Sequence, residues 1–473
     1  MPNNSLNSPE SQPDRKNESL TVSDRAAVFV AKLAARTIRK LGLGLGSNLP
    51  GRVARKLSPS VLSHLAGQTP RGVIAVTGTN GKSTTSGILS SILRVSGFTF
   101  AHNRQGANLV TGITASLIES ADWMKGITAD LCLFEIDEAA LPVVAKEVNI
   151  SSILVTNLFR DQLDRFGELD TTAKLIAKGI AQNHSKPILN ADDPNVAQLS
   201  CDGEKLYYGI ENVIDATGTA SNMELAYCGA CGREVSYSTV FYGQLGHWLC
   251  SCGNGRPQPQ VVAKDVEVLA TSSKFKLLIN HQAEECVLPL PGLFNVYNAL
   301  AAAAAAHHLG ASNQAIRYGL KEYTTLFGRS EKLSLEGRSL IVQLIKNPAG
   351  ATQAVGSCVK DERRRLLIAI NDNLADGRDV SWLWDADFEQ IARAGKEDTI
   401  IVSGQRAEDM AVRMKYAGYP PHLIKVIPKL QAALRSGLDD MKEGETLWLM
   451  PTYTCLLELQ KIVKSMGGVM SGT

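Results

Sequence analysis

The sequence predicts an α/β protein built from two units that each contain a parallel sheet. Between residues 72 and 190, short apolar segments alternate with longer segments of helical periodicity, and the same alternation resumes from about residue 334. This order of elements is typical of parallel sheets covered by helices. Residues 203–288 differ, because strand-like alternation dominates there and four cysteines cluster in this stretch. We therefore expect a β-rich insertion in the first unit.

The composition is that of an ordinary globular protein. The chain has 473 residues, of which 44% are hydrophobic and 20% are charged, and its formal net charge is +2. This even balance argues against a general nucleic-acid surface and against a polybasic membrane anchor. No apolar run reaches the ~18 residues that a membrane helix needs. The nine cysteines are too few and too scattered for a disulfide framework, so we expect a cytoplasmic protein.

The chain divides into three predicted parts. Residues 1–23 are polar and predict a disordered tail, residues 24–330 predict a central domain with the β-rich insertion at about 203–288, and residues 331–473 predict a smaller Rossmann-like α/β domain. Residues 24–43 show helical apolar spacing with basic residues on the other face. That pattern fits a helix that docks on the central domain, and it also fits contact with a membrane surface.

A glycine-rich loop predicts nucleotide binding. The segment TGTNGKST follows an apolar strand and precedes a helical segment. In this context, backbone N–H groups and the positive end of the helix can bind polyphosphate. Lys82 would neutralise phosphate charge, and Ser83 would hold Mg²⁺. The candidate ATP-binding residues of this loop are Gly78, Thr79, Asn80, Gly81, Lys82, Ser83 and Thr84.

Two short cysteine pairs predict a structural zinc site. Cys228 and Cys231 form a C-x₂-C pair, and Cys250 and Cys252 form a C-x-C pair further along the chain. Tetrahedral Zn²⁺ takes four such thiolates, and a site with four protein ligands is structural rather than catalytic. A redox pair or unligated cysteines are the alternatives. The segment is not strongly basic, so the zinc ribbon does not predict nucleic-acid binding.

The loop resembles the ATP loop of the Mur ligases, a family that includes folylpolyglutamate synthetase, and further blocks follow in that family's order over roughly residues 70–473. The resemblance implies a P-loop Mur ligase central domain that uses ATP and Mg²⁺. It implies that Glu135, in FEIDE, is a second Mg²⁺ ligand and that Asn295, Asn298 and Arg329 contact the nucleotide. Other matching blocks are Thr156-Asn157, Asp161-Gln162-Leu163-Asp164 and Asn190 to Pro194.

Several features depart from the amino-acid-adding Mur ligases. Gln162 replaces the family's histidine, and the block from Lys346 to Gly350 replaces the usual start of the C-terminal unit. With the four cysteines and the block from Asn371 to Trp382, these departures resemble the branch that forms the ligase subunit of lipid II isoglutaminyl synthases. The resemblance implies a heterodimer with a GatD-type glutamine amidotransferase at the inner face of the membrane. Lys174 is an uncertain counterpart of the family's carbamylated lysine.

The activity implied by this branch is ATP-dependent amidation of the α-carboxyl of D-glutamate in the lipid II stem peptide, through an acyl phosphate that ammonia attacks. Asp379 is the catalytic candidate, because the resemblance implies that it orients a histidine of the partner across the interface. Residue type alone also fits a helix cap there, and Asp376 is the neighbour most easily confused with it. Two other functions stay open: a Mur-type ligase that adds an amino acid without a glutaminase, and a non-catalytic nucleotide-binding scaffold.

Overall fold

The computed structural model of the protein describes residues 19–40, 48–103, 107–159, 168–214, 225–269, 271–324, 329–395 and 398–470. A nine-stranded sheet forms the centre of the first unit and a seven-stranded sheet forms the centre of the second. A two-stranded hairpin is separate from both sheets. This is the α/β architecture that the sequence predicts. None of the helices in these ranges is long and apolar enough to cross a membrane.

The nine-stranded sheet is parallel except at one edge. Its strands are β1 (Val73–Thr77), β2 (Phe100–His102), β3 (Leu131–Glu135), β4 (Ile150–Val155), β5 (Lys186–Asn190), β6 (Leu206–Ile210), β9 (Val261–Val268), β10 (Ser273–Ile279) and β11 (Gln282–Leu288). They follow the order β11-β10-β9-β6-β5-β4-β1-β3-β2. Strand β1 therefore lies between β3 and β4, where the strand order changes direction, and ligands of open α/β sheets bind beyond the carboxyl ends of strands at such a point.

The seven-stranded sheet has the order β16-β15-β14-β17-β13-β12-β18, with β12 antiparallel to both of its neighbours. Its strands are β12 (Arg329–Leu335), β13 (Arg338–Gln343), β14 (Arg364–Ala369), β15 (Ile400–Ser403), β16 (Ile424–Val426), β17 (Thr446–Pro451) and β18 (Val469–Met470). The predicted boundary at residue 330 therefore stands beside the first strand of this sheet. We keep it as a prediction for the extent of an independently folding domain.

Helices cover both sheets. The helices of the first unit are α1 (Val22–Lys40), α2 (Leu49–Leu57), α3 (Val61–Gly67), α4 (Lys82–Val95), α5 (Val110–Ser120), α6 (Leu141–Glu147), α7 (Glu168–Asn183), α8 (Pro194–Ala197), α9 (Leu293–His308) and α10 (Asn313–Lys321). Those of the second are α11 (Pro348–Cys358), α12 (Glu389–Arg393), α13 (Ala407–Tyr416), α14 (Leu430–Asp439) and α15 (Tyr453–Ser465). Helix α1 packs against α2 and α5.

Small residues bring α4 close to its neighbouring helices. Every alanine in the run Ala299–Ala306 of α9 is fully buried, and α9 packs against α4 and the sheet. On α10, a Cβ added at Gly319 would overlap with the backbone of Ile92 on α4. Helix α4 is therefore packed closely against α9 and α10, and its first residue is Lys82 of the glycine-rich loop.

The β-rich segment predicted over residues 203–288 is divided in the structure. Strands β6, β9, β10 and β11 extend the nine-stranded sheet, and the hairpin of β7 (Ser236–Tyr242) and β8 (Leu245–Leu249) stands apart with the cysteine pairs. The sheet continues because β9 bonds to β6 on one side and to β10 on the other. Strand-like alternation predicts half-buried strands, but it does not indicate which sheet they join.

Candidate functional site

The glycine-rich loop joins the carboxyl end of β1 to the first turn of α4. Gly78 has φ 120° and Gly81 has φ 85°, a region that favours glycine. A Cβ at Gly78 would overlap with Thr156, and one at Gly81 would overlap with the Asn298 side chain. Both glycines therefore serve the turn and the close approach of neighbouring side chains, and the loop presents backbone N–H groups at the positive end of a helix.

Residues that follow β4 hold the loop in position. The Asn157 side chain accepts a hydrogen bond from the Asn80 backbone at 2.9 Å, and its backbone carbonyl accepts one from Thr79 at 2.9 Å. The Thr156 hydroxyl donates to the Asn80 carbonyl at 2.7 Å. This Thr-Asn pair thus positions the loop through the backbone, while the adjoining segment that contains Asp161 to Asp164 lies outside the described residues.

Lys82 is paired with an acidic residue that the sequence analysis did not single out. Its Nζ lies 2.8 Å from Glu138 Oε1 and donates to the Gly78 carbonyl at 2.6 Å. The same Glu138 oxygen accepts from the Gly78 backbone N–H at 3.0 Å. The loop N–H and the lysine thus already bind one anionic oxygen, which is the arrangement that a phosphate oxygen requires. Glu138 lies in FEIDE, three residues after Glu135, and this second glutamate of the motif was the sequence feature that could have identified it.

Glu135 ends β3, directly beside the loop strand, where Val76 of β1 is its register partner. The residue is buried, and its backbone is held by Asn103, which accepts from the Glu135 N–H at 2.8 Å and donates to its carbonyl at 2.7 Å. Across the described residues, no hydrogen bond or ion pair engages the Glu135 carboxylate. The Glu135 carboxylate and the Ser83 hydroxyl in the first turn of α4 both offer oxygen atoms, the kind of ligand that Mg²⁺ prefers.

A cleft of about 680 Å³, including its open mouth, lies against the loop. It combines the glycine-rich loop, three aromatic side chains and two asparagines, and its far wall belongs to the second unit. That mixture of apolar walls and a few polar groups is typical of small-molecule sites. The lining residues are Asn80, Gly81, Thr84, Phe159, Tyr242, Phe294, Asn295, Asn298, Gln343, Leu344, Lys346, Ala349, Gly350 and Gln353.

Five of the ten predicted nucleotide-binding residues line the cleft, namely Asn80, Gly81, Thr84, Asn295 and Asn298. Asn295 and Asn298 lie one helical turn apart at the start of α9, and the Asn298 amide donates to Asn295 Oδ1 at 3.3 Å. The Thr85 hydroxyl donates to Asn298 Oδ1 at 3.3 Å. Arg329 begins β12, but its side chain is outside the described part of the chain. Lys174 is exposed on α7 and does not line the cleft.

The second unit touches the loop directly. Asn347 Nδ2 donates to Asn80 Oδ1 at 3.0 Å, and Lys346 Nζ donates to the Thr79 carbonyl at 3.4 Å. Asn347 also caps α11, because its side-chain oxygen accepts from the Gly350 N–H at 2.8 Å. The block from Lys346 to Gly350, noted in the sequence as a departure from the Mur ligases, therefore closes the cleft. Sequence analysis gave it no such role, because the contact spans more than 260 residues of chain.

The four predicted zinc ligands come together. The ligand sulfurs of Cys228, Cys231, Cys250 and Cys252 all lie within 4.8 Å of one another. The Cys228–Cys252 and Cys231–Cys250 distances are 3.6 and 3.5 Å. Four thiolates around a tetrahedral Zn²⁺, with Zn–S bonds of about 2.3 Å, lie ~3.8 Å apart. The cluster therefore fits a closed zinc site.

The hairpin beside this cluster reaches the cleft. Tyr242, at the end of β7, stacks on Phe159 with ring centroids 5.7 Å apart. Gln244, in the turn, donates to the Leu158 carbonyl at 2.9 Å, and Trp248 donates to the Ala191 carbonyl at 3.0 Å. The hairpin thus contributes one aromatic wall of the cleft and is bonded to the carboxyl-end loops of β4 and β5.

Two buried carboxylates of the NADDP block hold the hairpin and the segment after β4 in position. Asp192 Oδ1 lies 2.5 Å from Arg256 Nε, and its Oδ2 accepts from the Tyr297 hydroxyl at 2.7 Å. Asp193 accepts from the Leu158 N–H at 2.9 Å, and burial raises the pKa of its carboxyl to about 7. Neither residue lines the cleft. Their contacts fix the hairpin and the segment after β4, which both contribute cleft residues.

The block from Asn371 to Trp382 follows β14 in the second unit. Asp376 is tied to the protein, because its carboxylate accepts from the Thr454 N–H at 2.7 Å and from the Thr454 hydroxyl at 2.5 Å. Asp379 Oδ1 accepts from the Ser381 N–H at 2.8 Å, at the start of the short 3₁₀ helix Ser381–Trp384. Hydrogen bonds from Ser381 lower the pKa of Asp379. Both aspartates are half-buried, and their partners distinguish them: Asp376 is bonded to Thr454 of α15, whereas Asp379 is bonded to Ser381, two residues further along the chain.

Family comparisons agree with both units. A model of the Mur ligase middle domain matches residues 76–238, and a model of the MurT ligase C-terminal region matches residues 344–456. The MurT subunit of lipid II isoglutaminyl synthase (glutamine-hydrolyzing) from Staphylococcus aureus strain N315 is 38% identical over 94% of this chain and 99% of its own length. The chain belongs to the MurT family. The predicted branch is confirmed, and the protein is a ligase of the Mur type.

A second MurT subunit, from Streptococcus pneumoniae, is 33% identical over 89% of this chain and 93% of its own. Among solved structures, a pseudomurein peptide ligase type C from Methanothermus fervidus aligns with a TM-score of 0.65 at 25% identity, over 84% of this chain and 79% of that one. MurF from Acinetobacter baumannii aligns with a TM-score of 0.64 at 18% identity, over 88% and 80%. The Mur ligase fold predicted from the motifs is thereby confirmed.

Proposed function

We propose that this protein activates the α-carboxyl of D-glutamate in the stem peptide of lipid II with ATP and converts it to an amide, so that the D-glutamate becomes D-isoglutamine. The observation that carries the proposal is the cleft against the glycine-rich loop, which is lined by the loop itself and by the two asparagines of α9, while Lys82 donates to the Gly78 carbonyl within that loop. The names of the MurT relatives support the substrate and the amide product.

The proposed reaction has two steps. A carboxylate oxygen of the substrate attacks the γ-phosphorus of ATP, the bond between that phosphorus and the β-γ bridging oxygen breaks, and ADP leaves. The nitrogen of ammonia then attacks the acyl carbon, the bond to the phosphate oxygen breaks, and inorganic phosphate leaves while the nitrogen loses a proton. Activation is needed because a free carboxylate is a poor electrophile.

In this scheme, residues of the chain bind the ATP and stabilise the negative charge of its phosphates. Lys82 and the loop N–H groups bind the phosphate oxygens that gain charge as the bond to the leaving ADP breaks. Phe159, Tyr242 and Phe294 supply the apolar walls for the base, and Asn298 approaches the loop at Gly81. Ser83 and Glu135 would hold Mg²⁺, which would draw charge from the β- and γ-phosphates. Arg329 is a further proposed contact to ATP.

We also propose that ammonia comes from a GatD-type glutaminase that binds the second unit around Asp379. The surface near Asp379 carries unusual apolar exposure: the Leu374 side chain is 83% exposed, and Trp384 lies against Tyr416 with ring centroids 5.7 Å apart. Exposed aromatic residues in a cluster are typical of protein interfaces. Hydrogen bonds from Ser381 lower the pKa of Asp379 and favour its carboxylate form, which is the form that can orient a partner's histidine.

The experiment that tests this proposal measures the mass of the muropeptide product. The chain is purified with and without the co-expressed glutaminase and supplied with lipid II, ATP, Mg²⁺ and glutamine. We expect a product lighter by the difference between a hydroxyl and an amino group, formed from glutamine only when the partner is present. Gain of an amino-acid mass without a glutaminase would instead support an amino-acid-adding ligase, and ATP turnover without any acceptor would support a scaffold.

Removal of zinc tests whether the four-cysteine cluster supports the cleft. We propose that the cluster holds structural Zn²⁺ and thereby fixes the hairpin that carries Tyr242 and Gln244. We expect Cys250→Ser to lose stoichiometric zinc and to weaken binding of a non-hydrolysable ATP analogue by roughly tenfold, because the aromatic wall is no longer held in position. Zinc is measured by mass spectrometry, and nucleotide affinity by calorimetry.

The matched control for this prediction is Cys201→Ser, because Cys201 is a partly buried cysteine outside the cluster. It should keep both the zinc and the affinity for the nucleotide. Unchanged affinity in Cys250→Ser after complete loss of zinc would contradict the proposed support of the cleft by the ribbon.

A further inference from the structure

Helix α1 carries apolar side chains on two opposite faces. The face against α2 and α5 buries small residues, chiefly Ala27, Val28 and Ala31. The larger apolar residues point the other way, and Phe29 and Leu33 are 53% and 54% exposed. A helix that only docks on its own domain places its largest apolar residues inward. The outward apolar face of α1 is therefore left largely exposed in the described part of the chain.

A loop from another element extends this face. Trp123 and Met124, which follow α5, are 48% and 56% exposed, and the Trp123 ring lies edge-on to Phe29 with centroids 5.9 Å apart. Asp122 holds the loop in shape, because its carboxylate accepts from the Met124 and Lys125 N–H groups. We call the resulting surface the α1 patch; its members are Val22, Phe29, Val30, Leu33, Trp123 and Met124.

Basic residues are interspersed with the α1 patch. Arg25 and Arg36 are exposed along the helix, and Lys125 is exposed in the loop. Lys32 reaches across to the end of α5, where its Nζ donates to the Glu119 carbonyl at 3.2 Å. These four basic side chains outnumber the two acidic ones, Glu119 and Asp122, so the net charge of this surface is positive.

We propose that the α1 patch rests on an anionic phospholipid surface. An exposed tryptophan, bulky apolar side chains and interspersed arginine and lysine are the composition of helices that lie in the plane of a membrane interface. A protein partner is the less favoured occupant, because the centres of protein interfaces are depleted in lysine. The inference rests on the proposed function in one respect, since a lipid-linked substrate presents its stem peptide beside such a surface.

The position of the patch suits that role. Helix α5 begins at Val110, and the carbonyl of nearby Asn108 accepts from the Asp137 N–H, two residues beyond Glu135. The same helix ends at Ser120, beside the contact between Lys32 and Glu119. Its 11 residues span ~16 Å at the rise of an α-helix. Helix α5 thus connects the region of the α1 patch to the loop that follows Glu135, the residue proposed to hold Mg²⁺.

Co-sedimentation with vesicles tests the proposal on the full chain in complex with its glutaminase. We expect binding to vesicles of mixed phosphatidylglycerol and phosphatidylcholine, weaker binding at high salt, and little binding to phosphatidylcholine alone. Leu33→Glu should lower partitioning by about tenfold, because a charge replaces an inserted side chain. Arg36→Glu should lower it by at least about fivefold through lost attraction to the anionic lipid. The control Val287→Glu alters an exposed valine on β11 and should bind as the unmodified chain does.

Absence of binding to the anionic vesicles would overturn the proposal, and so would undiminished binding by Leu33→Glu. A change in oligomeric state on Leu33→Glu, measured by sedimentation velocity, would overturn it in favour of a second copy as the occupant. Thermal melts verify that each variant is folded. Amidation assayed in detergent separates this inference from the proposed function, since it requires no bilayer and should be unchanged in Leu33→Glu.

Discussion

Replacing Lys82 with methionine should lower ATP-dependent amidation on the order of 10²–10³-fold, because one fixed positive charge facing the transferred phosphate is lost. Lys82 lies at the start of α4, and its Nζ contacts both the Gly78 carbonyl and the Glu138 carboxylate. Methionine keeps much of the length and apolar character of the side chain, so the packing of the helix should survive. Single-turnover formation of ADP in the presence of substrate measures the effect.

The matched control is Lys186→Met. Lys186 also forms an ion pair, at 2.6 Å from Glu204, but that glutamate is almost fully exposed and the pair lies away from the cleft. Exposed pairs of this kind contribute little to stability, so this variant should retain activity. An equal loss of activity in both variants would indicate damage to the fold, and full activity in Lys82→Met would contradict the proposed phosphate site.

Replacing Asp379 with asparagine should abolish most of the glutamine-dependent amidation, by on the order of 10³–10⁴-fold, while reaction with free ammonia is spared. The substitution separates the two roles of this residue. Asparagine caps a helix about as well as aspartate does, so the hydrogen bond from the Ser381 N–H should persist. The neutral amide, however, cannot stabilise a histidine cation in the partner. Parallel assays with glutamine and with ammonium chloride provide the measurement.

Asp372→Asn serves as the control for Asp379→Asn. Asp372 belongs to the same block, and its carboxylate lies 3.0 Å from Arg406 within the chain itself. It should therefore lose little activity with either nitrogen source. If Asp379→Asn remains fully active with glutamine, Asp379 is a cap alone and the proposed link to the partner's histidine is wrong.

Local motifs in the sequence were sufficient for the loop and for the cysteine cluster. The glycines of TGTNGKST and the two cysteine pairs require only a few neighbouring residues to define their geometry, and the structure brings each set together. The contacts that close the cleft could not be predicted in this way. Asn347 meets Asn80, and Tyr242 meets Phe159, only because distant elements fold against each other. Their types are common in loops and strands, so no local pattern distinguishes them.

Local patterns also could not predict which neighbours the β-rich segment and α1 would pack against. Alternation predicted strands over residues 203–288, but sheet membership depends on which edge is free when they pair. Helical periodicity predicted α1 and a basic face, whereas the structure has its bulkiest apolar residues outward among the basic ones. Periodicity gives the angle between side chains, and the neighbouring elements decide which side is buried.

The buried alanines of α9 have a consequence for the precision of the phosphate loop. Helix α4 rests against this helix and against Gly319, and the loop continues directly into α4. The buried alanines between Ala299 and Ala306 therefore allow α9 to pack closely beside α4, and both helices lie against the sheet. The position of Lys82 therefore depends on the packing of buried side chains that do not line the cleft. Redesign of this ligase for another acceptor can change residues in the far wall of the cleft. It should leave the alanines of α9 unchanged, because they set the position of α4 and hence of Lys82.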